Sequence, residues 1–176
     1  DYLVSMKTKF RVKARKAFKL SAAIRIEEVT DKNIASQIPK MTRLYKKVVA
    51  NADFNLGDLN LETYRDLKEK VGDNYILKSY WLEGKIVGFM SGMVNENSLD
   101  AHFVGLDYQF NKEYGIYQRM LYDYIEIAIH KKLKTINFGR TASEIKSSVG
   151  AKPQDLTMYL RHKKGIKNRI LKLFLQ

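Results

Sequence analysis

The chain contains no cysteine, which excludes a disulfide framework, a thiolate metal site and a cysteine nucleophile at once. That absence favours a reducing compartment, and a cytoplasmic location is the expectation. Histidine is nearly as scarce. His102, His130 and His162 are scattered without ligand-like spacing, so no metal site is expected. Two prolines and ten glycines are spread along 176 residues, and none gathers into a linker that would divide the chain. No run approaches the roughly 20 apolar residues of a membrane span. The first twenty residues are basic throughout, without the central apolar block of a signal peptide. Repeats and low-complexity tracts are also missing.

What is there is the composition of one globular domain: 45% apolar and 29% charged residues, with length enough for a substantial core. The opening Asp1-Tyr2-Leu3 reads as mid-helix and lacks an initiator Met, so the expectation is a domain cut from a longer protein. The net charge of +13 is uneven. Residues 1–20 carry seven Lys/Arg against Asp1, and residues 161–176 carry six with no acid, +6 at each end. The 140 residues between hold 19 basic and 18 acidic side chains, +1. Basic ends flank a nearly neutral body, giving an expected division into a basic N-terminal helix (1–20), a body (21–165) and a basic C-terminal helix (166–176). Three readings of these ends stand open: a grip on tRNA or another polyanion, a seat on an anionic membrane surface, or a plain solvated face.

Apolar residues spaced by three and four predict one helix over Tyr2 to Leu20. A strand follows at Ile24 to Val29, then Thr30-Asp31 as N-cap of a helix to about Asn51 that Pro39 kinks or splits. Asn60 caps a helix over Leu61 to Lys70. Strands at Tyr75 to Leu82 and Lys85 to Val94 are joined by the hairpin pair Glu83-Gly84, and Asn95-Glu96-Asn97 turns into Ser98 to Asp107. Gly115 to Leu133 carries a wide apolar stripe. Strand Thr135 to Phe138, a short helix with Lys146, a strand over Gln154 to His162 and a basic helix from Ile166 to Phe174 complete the chain. The fold class expected is α/β (α+β), with a mixed central sheet flanked by helices: an antiparallel meander, then one crossover helix giving a parallel pair.

One stretch carries more than periodicity. Thr135 to Ala151 reads TINFGRTASEIKSSVGA: a strand ending in Gly139-Arg140, then a helix reading Ile145-Lys146-Ser147-Ser148-Val149-Gly150. This resembles the Fem-like, peptidoglycan-biosynthesis-type branch of the GNAT superfamily of N-acyltransferases, whose corresponding helix has a Phe-Lys-x-x-Trp/Phe-Gly pattern. The lysine and glycine match, while the two aromatic positions are aliphatic. Lys9-Phe10-Arg11 followed by Arg15-Lys16 fits the basic opening helix common in that branch. The resemblance covers roughly residues 1–165 and makes 21–165 a GNAT-like acyltransferase domain.

The resemblance implies that the strands before and after the crossover helix splay apart to admit the pantetheine arm of acyl-CoA, here Ser98 to Asp107 with Val104, Gly105 and Leu106, and Thr135 to Phe138. The turn Asn111 to Ile116, with Gly115, would then offer free N–H groups to a phosphate. The usual pyrophosphate loop with its two glycines is absent, since Gln109 to Gly115 holds one glycine. Lys146 is implied to stabilise charge on the acyl carbonyl, against the alternative of a solvent-facing lysine. Arg140, at the end of a strand, is a candidate clamp for carboxylate or phosphate, against an ion pair with Asp107 or Glu144. His102 is a candidate base. It shares a strand face with Asp100, opposite Leu99, Ala101 and Phe103, against the alternative that both simply face solvent. Tyr108 and Tyr159 are weaker candidates as proton donors.

Three functions fit. The first is transfer of an acyl group from acyl-CoA, as co-substrate and without a metal, to a small-molecule or peptide amine by direct attack in a ternary complex. The second is Fem-type, aminoacyl-tRNA-dependent transfer to a cell-wall peptide precursor. The third is a catalytically silent GNAT-like binding domain.

Overall fold

The computed structural model describes residues 2–52, 57–157 and 159–174. Its frame is a five-stranded sheet in sequential order. β1 (Arg25–Glu28), β2 (Tyr75–Leu82), β3 (Lys85–Asn95) and β4 (Ser98–Leu106) are antiparallel neighbours, and β5 (Thr135–Asn137) joins β4 in parallel. The β2–β3 turn places both Glu83 (φ 48°) and Gly84 (φ 76°) in the left-handed region, the backbone of a two-residue hairpin that continues the strand twist.

Each face of the sheet has its own core. On one, α6 (Ile116–His130) lays Ile116, Met120, Tyr124, Ile127 and Ala128 over Ile76, Tyr80, Met90, Leu99 and Leu106. On the other, α3 (Ile34–Ala50) and α4 (Thr63–Val71) cover Tyr75, Leu77 and Phe89. The opposite side of α6 is also covered: Leu121, Tyr122 and Ile125 meet Ala14 and Ala17 of α2 (Thr8–Leu20). The wide apolar stripe of this helix follows from being sandwiched between sheet and helix.

A buried polar strut links these layers. Asp123, 2% exposed, accepts from Tyr80 Oη at 2.5 Å and from Arg119 Nε at 2.8 Å. The Arg119 guanidinium lies 5.1 Å from the centre of the Phe18 ring on α2, a cation–π contact.

Several local expectations are corrected. The N-terminal helix is two pieces, α1 (Tyr2–Ser5) and α2, broken at Met6-Lys7. Pro39 neither splits nor interrupts α3: as the sixth residue it removes one early backbone bond, while Ile38, Met41, Leu44 and Tyr45 hold both flanks in the core. The cap of α3 is Asn33, not Thr30-Asp31. The Asn33 side-chain oxygen accepts from Thr30 N at 2.8 Å, while the Thr30 carbonyl accepts from Ile34 N. Asn60 does accept from Glu62 N at 3.0 Å, but the helix proper begins a few residues later, at Thr63.

Residues 108–114, expected as a loop and turn, form α5 (Tyr108–Tyr114), with Asp107 Oδ1 accepting from Gln109 N. The described residues of Gln154 to His162 form no strand. Leu156 and Tyr159 there are 81% and 92% exposed, so alternation in the sequence is not matched by a sheet edge to bury it. The last described element is α8 (Gly165–Phe174). Among the described residues no helix is long and apolar enough to cross a membrane.

Candidate functional site

The site is built by a fault in β4. Its pairing with β3 runs Gly92 to Ala101 and then Met90 to Val104, so His102 and Phe103 together oppose Ser91. Such a bulge bends its strand and re-aims side chains. Ser91 Oγ fixes it, donating to Phe103 O and accepting from Phe103 N, both at 3.1 Å, with Tyr64 Oη 3.2 Å away. Tyr124 Oη donates to Ser91 O at 2.6 Å. Every hydrogen-bonding position of this hydroxyl is used.

The bulge corrects one expectation. Strict alternation puts Phe103 with Leu99 and Ala101; instead Leu99 and Ala101 join the α6 face, while Phe103 packs edge-on against Tyr45 of α3 at 5.7 Å.

Beyond the bulge the two parallel strands part. β5 pairs with Ser98, Leu99 and Asp100 only, so no described strand covers the β4 edge from Ala101 to Leu106. The chain after β5 turns away through Gly139 (φ 73°) and Ala142 (φ 57°) into α7 (Ser143–Ser148). Between the diverging segments lies a cleft of about 120 Å³ lined by His102, Val104, Tyr117, Tyr124, Arg140 and Lys146, among others. The three candidate catalytic side chains, 44 positions apart at the extremes, thus meet around one space.

Lys146 is 7% exposed and donates to Gly139 O at 3.3 Å. It is not the solvent-facing lysine of the plainer reading. Burial lowers its pKa from 10.5, because a charge is costly where water is thin. Gly139 N in turn donates to Asn137 Oδ1 at 2.9 Å. Helix α7 is anchored from behind: Ile145 and Val149 pack on the α2–α6 cluster, and Tyr2 Oη donates to Val149 O at 2.7 Å. Ile145 and Val149 are the two aliphatic replacements in the lysine–glycine pattern, and both are spent on packing.

His102 also titrates below its ordinary 6.5, chiefly because burial disfavours the charged ring; the nearby Asp100 carboxylate opposes this more weakly. Arg140 lies exposed at the cleft mouth. Asp107, one of its proposed ion-pair partners, accepts from Lys47 Nζ at 2.9 Å.

The expected donor-binding residues divide. Val104 faces the cleft, whereas Leu106 and Ile116 are core side chains. Gly105 is a packing requirement, since a Cβ there would sit 2.2 Å from the Phe89 ring. Asn111 and Gly115 line a second, larger cavity of about 790 Å³ between α2, the α5–α6 junction and α7, with Lys9, Lys13, Lys16 and Lys112. The amides expected to be free there are partly engaged. Asn111 N donates to Asp107 O, and Asn111 Oδ1 accepts from Tyr117 N at 2.9 Å, so the side chain caps the helix end that a phosphate would use. Tyr108 is partly exposed and Tyr159 almost fully so, and neither lines either cavity. Sequence reasoning missed Tyr117, which borders both cavities; it was absorbed into the apolar stripe of α6.

This chain belongs to the GNAT family of acetyltransferase domains: the family model described as Acetyltransferase (GNAT) domain matches residues 5–147. No curated protein matches it. Among solved structures it is similar to an aminoglycoside acetyltransferase, meta-AAC0020, from an uncultured soil metagenomic sample, in complex with sisomicin. The TM-score is 0.62 at 18% identity, over 82% of this chain and 99% of that one. A GNAT family acetyltransferase of Staphylococcus aureus (0.57, 16%, 80% and 99%) is similar too, as is glucosamine-6-phosphate N-acetyltransferase of Arabidopsis thaliana (0.56, 14%, 78% and 97%). At these identities the likeness is one of fold.

Proposed function

We propose that the chain is an N-acyltransferase that takes an acyl group from acyl-CoA to an amine by direct attack in a ternary complex. The observation that carries this is the cleft where β4 and β5 part, because it gathers His102, Arg140 and Lys146 beside an unpaired strand edge. An extended pantetheine arm can pair with such an edge as an added strand would. The phosphates of the donor would reach the lysines around the larger cavity.

In the reaction the amine nitrogen attacks the acyl carbonyl, a C–N bond forms and the C–S bond breaks. His102 accepts the proton the amine loses; the departing thiolate takes one from solvent. Lys146 faces the oxygen on which negative charge develops, a role for which a preorganised cation in a dry site is suited. Arg140 clamps an anionic part of donor or acceptor.

Two observations favour a Fem-type second reading, in which aminoacyl-tRNA is the donor and a cell-wall peptide precursor the acceptor. Asn111 caps α6 where a pyrophosphate would sit, and the lysines of α2 form a wall along the larger cavity. Titration with acetyl-CoA and with aminoacyl-tRNA at several salt concentrations separates the two. Saturable, weakly salt-dependent coenzyme binding with acyl transfer supports the first reading. Tight tRNA binding that weakens steeply with salt supports the second. Binding of neither, with no turnover on an amine panel, overturns both in favour of a silent domain.

A further inference from the structure

The C-terminal segment combines two properties that the acyl-transfer site does not use. Residues 161–176 hold Arg161, Lys163, Lys164, Lys167, Arg169 and Lys172 and no acid. Apolar side chains lie open just before and among them: Tyr159 is 92% exposed, Leu160 56%, Ile166 78% and Ile170 50%. Ile166 and Ile170 are one helical turn apart on α8 and so lie on one face.

The turn that launches this helix is formed internally. His162 N donates to Asn168 Oδ1 at 2.5 Å, and Lys164 N donates to His162 Nδ1 at 2.9 Å. The helix therefore holds its start with its own groups while presenting Ile166 and Ile170 outward.

A cationic helix with open aliphatic residues has one environment that satisfies both. Phosphates alone would leave the isoleucines in water, and an apolar protein groove would strip water from the cations of the segment, which is costly. We infer that residues 159–174 form a peripheral membrane-docking element for an anionic lipid surface. The isoleucines enter the headgroup–acyl boundary, and the lysines and arginines meet lipid phosphates. Docking there would hold the acyl-transfer cleft near acceptors carried in or on the membrane. This surface does not depend on which acyl donor the cleft takes.

The test is flotation of the full chain with vesicles of pure phosphatidylcholine and of phosphatidylcholine with phosphatidylglycerol, alongside the variants Ile166→Asp/Ile170→Asp and Lys163→Gln/Lys164→Gln/Lys167→Gln. The expected result is binding to the anionic vesicles that both variants weaken by about tenfold or more, with little binding to neutral ones. Circular dichroism and amine acylation of unbound protein should match the parent for both, as these positions lie outside the cleft. Three results overturn the inference. One is no vesicle binding; another is vesicle binding that survives Ile166→Asp/Ile170→Asp. The third is self-association in solution that this pair of substitutions abolishes, which would make the face a contact between copies.

Discussion

In the β2–β3–β4 meander, strands of eight, eleven and nine residues carry the fully buried Tyr75, Leu77, Tyr80, Phe89, Met90 and Leu99, whereas β5 is three residues long and α7 six. The first region is held by many mutually supporting contacts. The second is held by a few specific ones: the Ile145 and Val149 anchor, the Gly139 carbonyl on Lys146, and two residues in left-handed backbone. Stability and chemistry are thereby lodged in different parts of the molecule, which meet along the β4 edge and where α7 packs on the α2–α6 cluster. Damage to the body should unfold the protein, while damage to the thin region should leave a folded and impaired one.

The sharpest way to break that contrast is from the body side. Asp123→Ala strands Arg119 in a partly buried site and leaves the Tyr80 hydroxyl without its carboxylate, and should cost about 3–5 kcal/mol in urea unfolding. Lys146→Ala should lower kcat/KM for acyl transfer by roughly 100- to 1000-fold with an unchanged denaturation midpoint. A loss of stability comparable to that of Asp123→Ala would show that Lys146 is structural. His102→Gln should cost at least roughly 100-fold if the ring is the base and should remove the acid limb of the pH–rate profile. In the parent that limb lies below pH 6.5, because desolvation lowers the pKa of the ring. The linkage has the same sign. With the folded pKa below 6.5, the contribution of His102 to stability is complete above that pH and is lost as pH falls through the folded value. The smallest effect expected is that of Gly105→Ala, which drives a methyl into Phe89 and Leu44 and should cost about 1–3 kcal/mol. Because Gly105 lies on the shared edge, it should alter stability and the KM for the acyl donor together.

The long elements were legible because their patterns are local. The apolar-rich runs of Tyr75 to Leu82 and Lys85 to Val94 and the wide stripe of Gly115 to Leu133 report burial on both faces that the structure carries out, and Glu83-Gly84 specifies its turn directly. A split at Pro39, one of the two outcomes expected there, and a strand over Gln154 to His162 both fail for one shared reason. A local rule predicts a break or a strand, but the core around Ile38 and Met41, or the lack of a neighbouring strand, decides the outcome. The family was legible from Gly139-Arg140, Lys146 and Gly150. The resemblance implied a role for Lys146 alone; His102 and Arg140 were separate candidates, and the cause of their meeting with Lys146 was not readable. It depends on Ser91, a serine eleven positions before His102 that matters only once Tyr64, Tyr124 and Phe103 surround it. The capping of α6 by Asn111 was likewise hidden, since α5 itself was missed.

The β4 bulge has a kinetic consequence. Ser91 fixes the divergence of the strands by bonds to its immediate surroundings, so the gap stands open before any ligand arrives and little chain remains to be ordered when one enters. Stopped-flow association with the acyl donor should therefore be a single phase whose observed rate rises linearly with donor concentration. Ser91→Ala should replace that line with a plateau, set by how often the loosened strand finds its bent form.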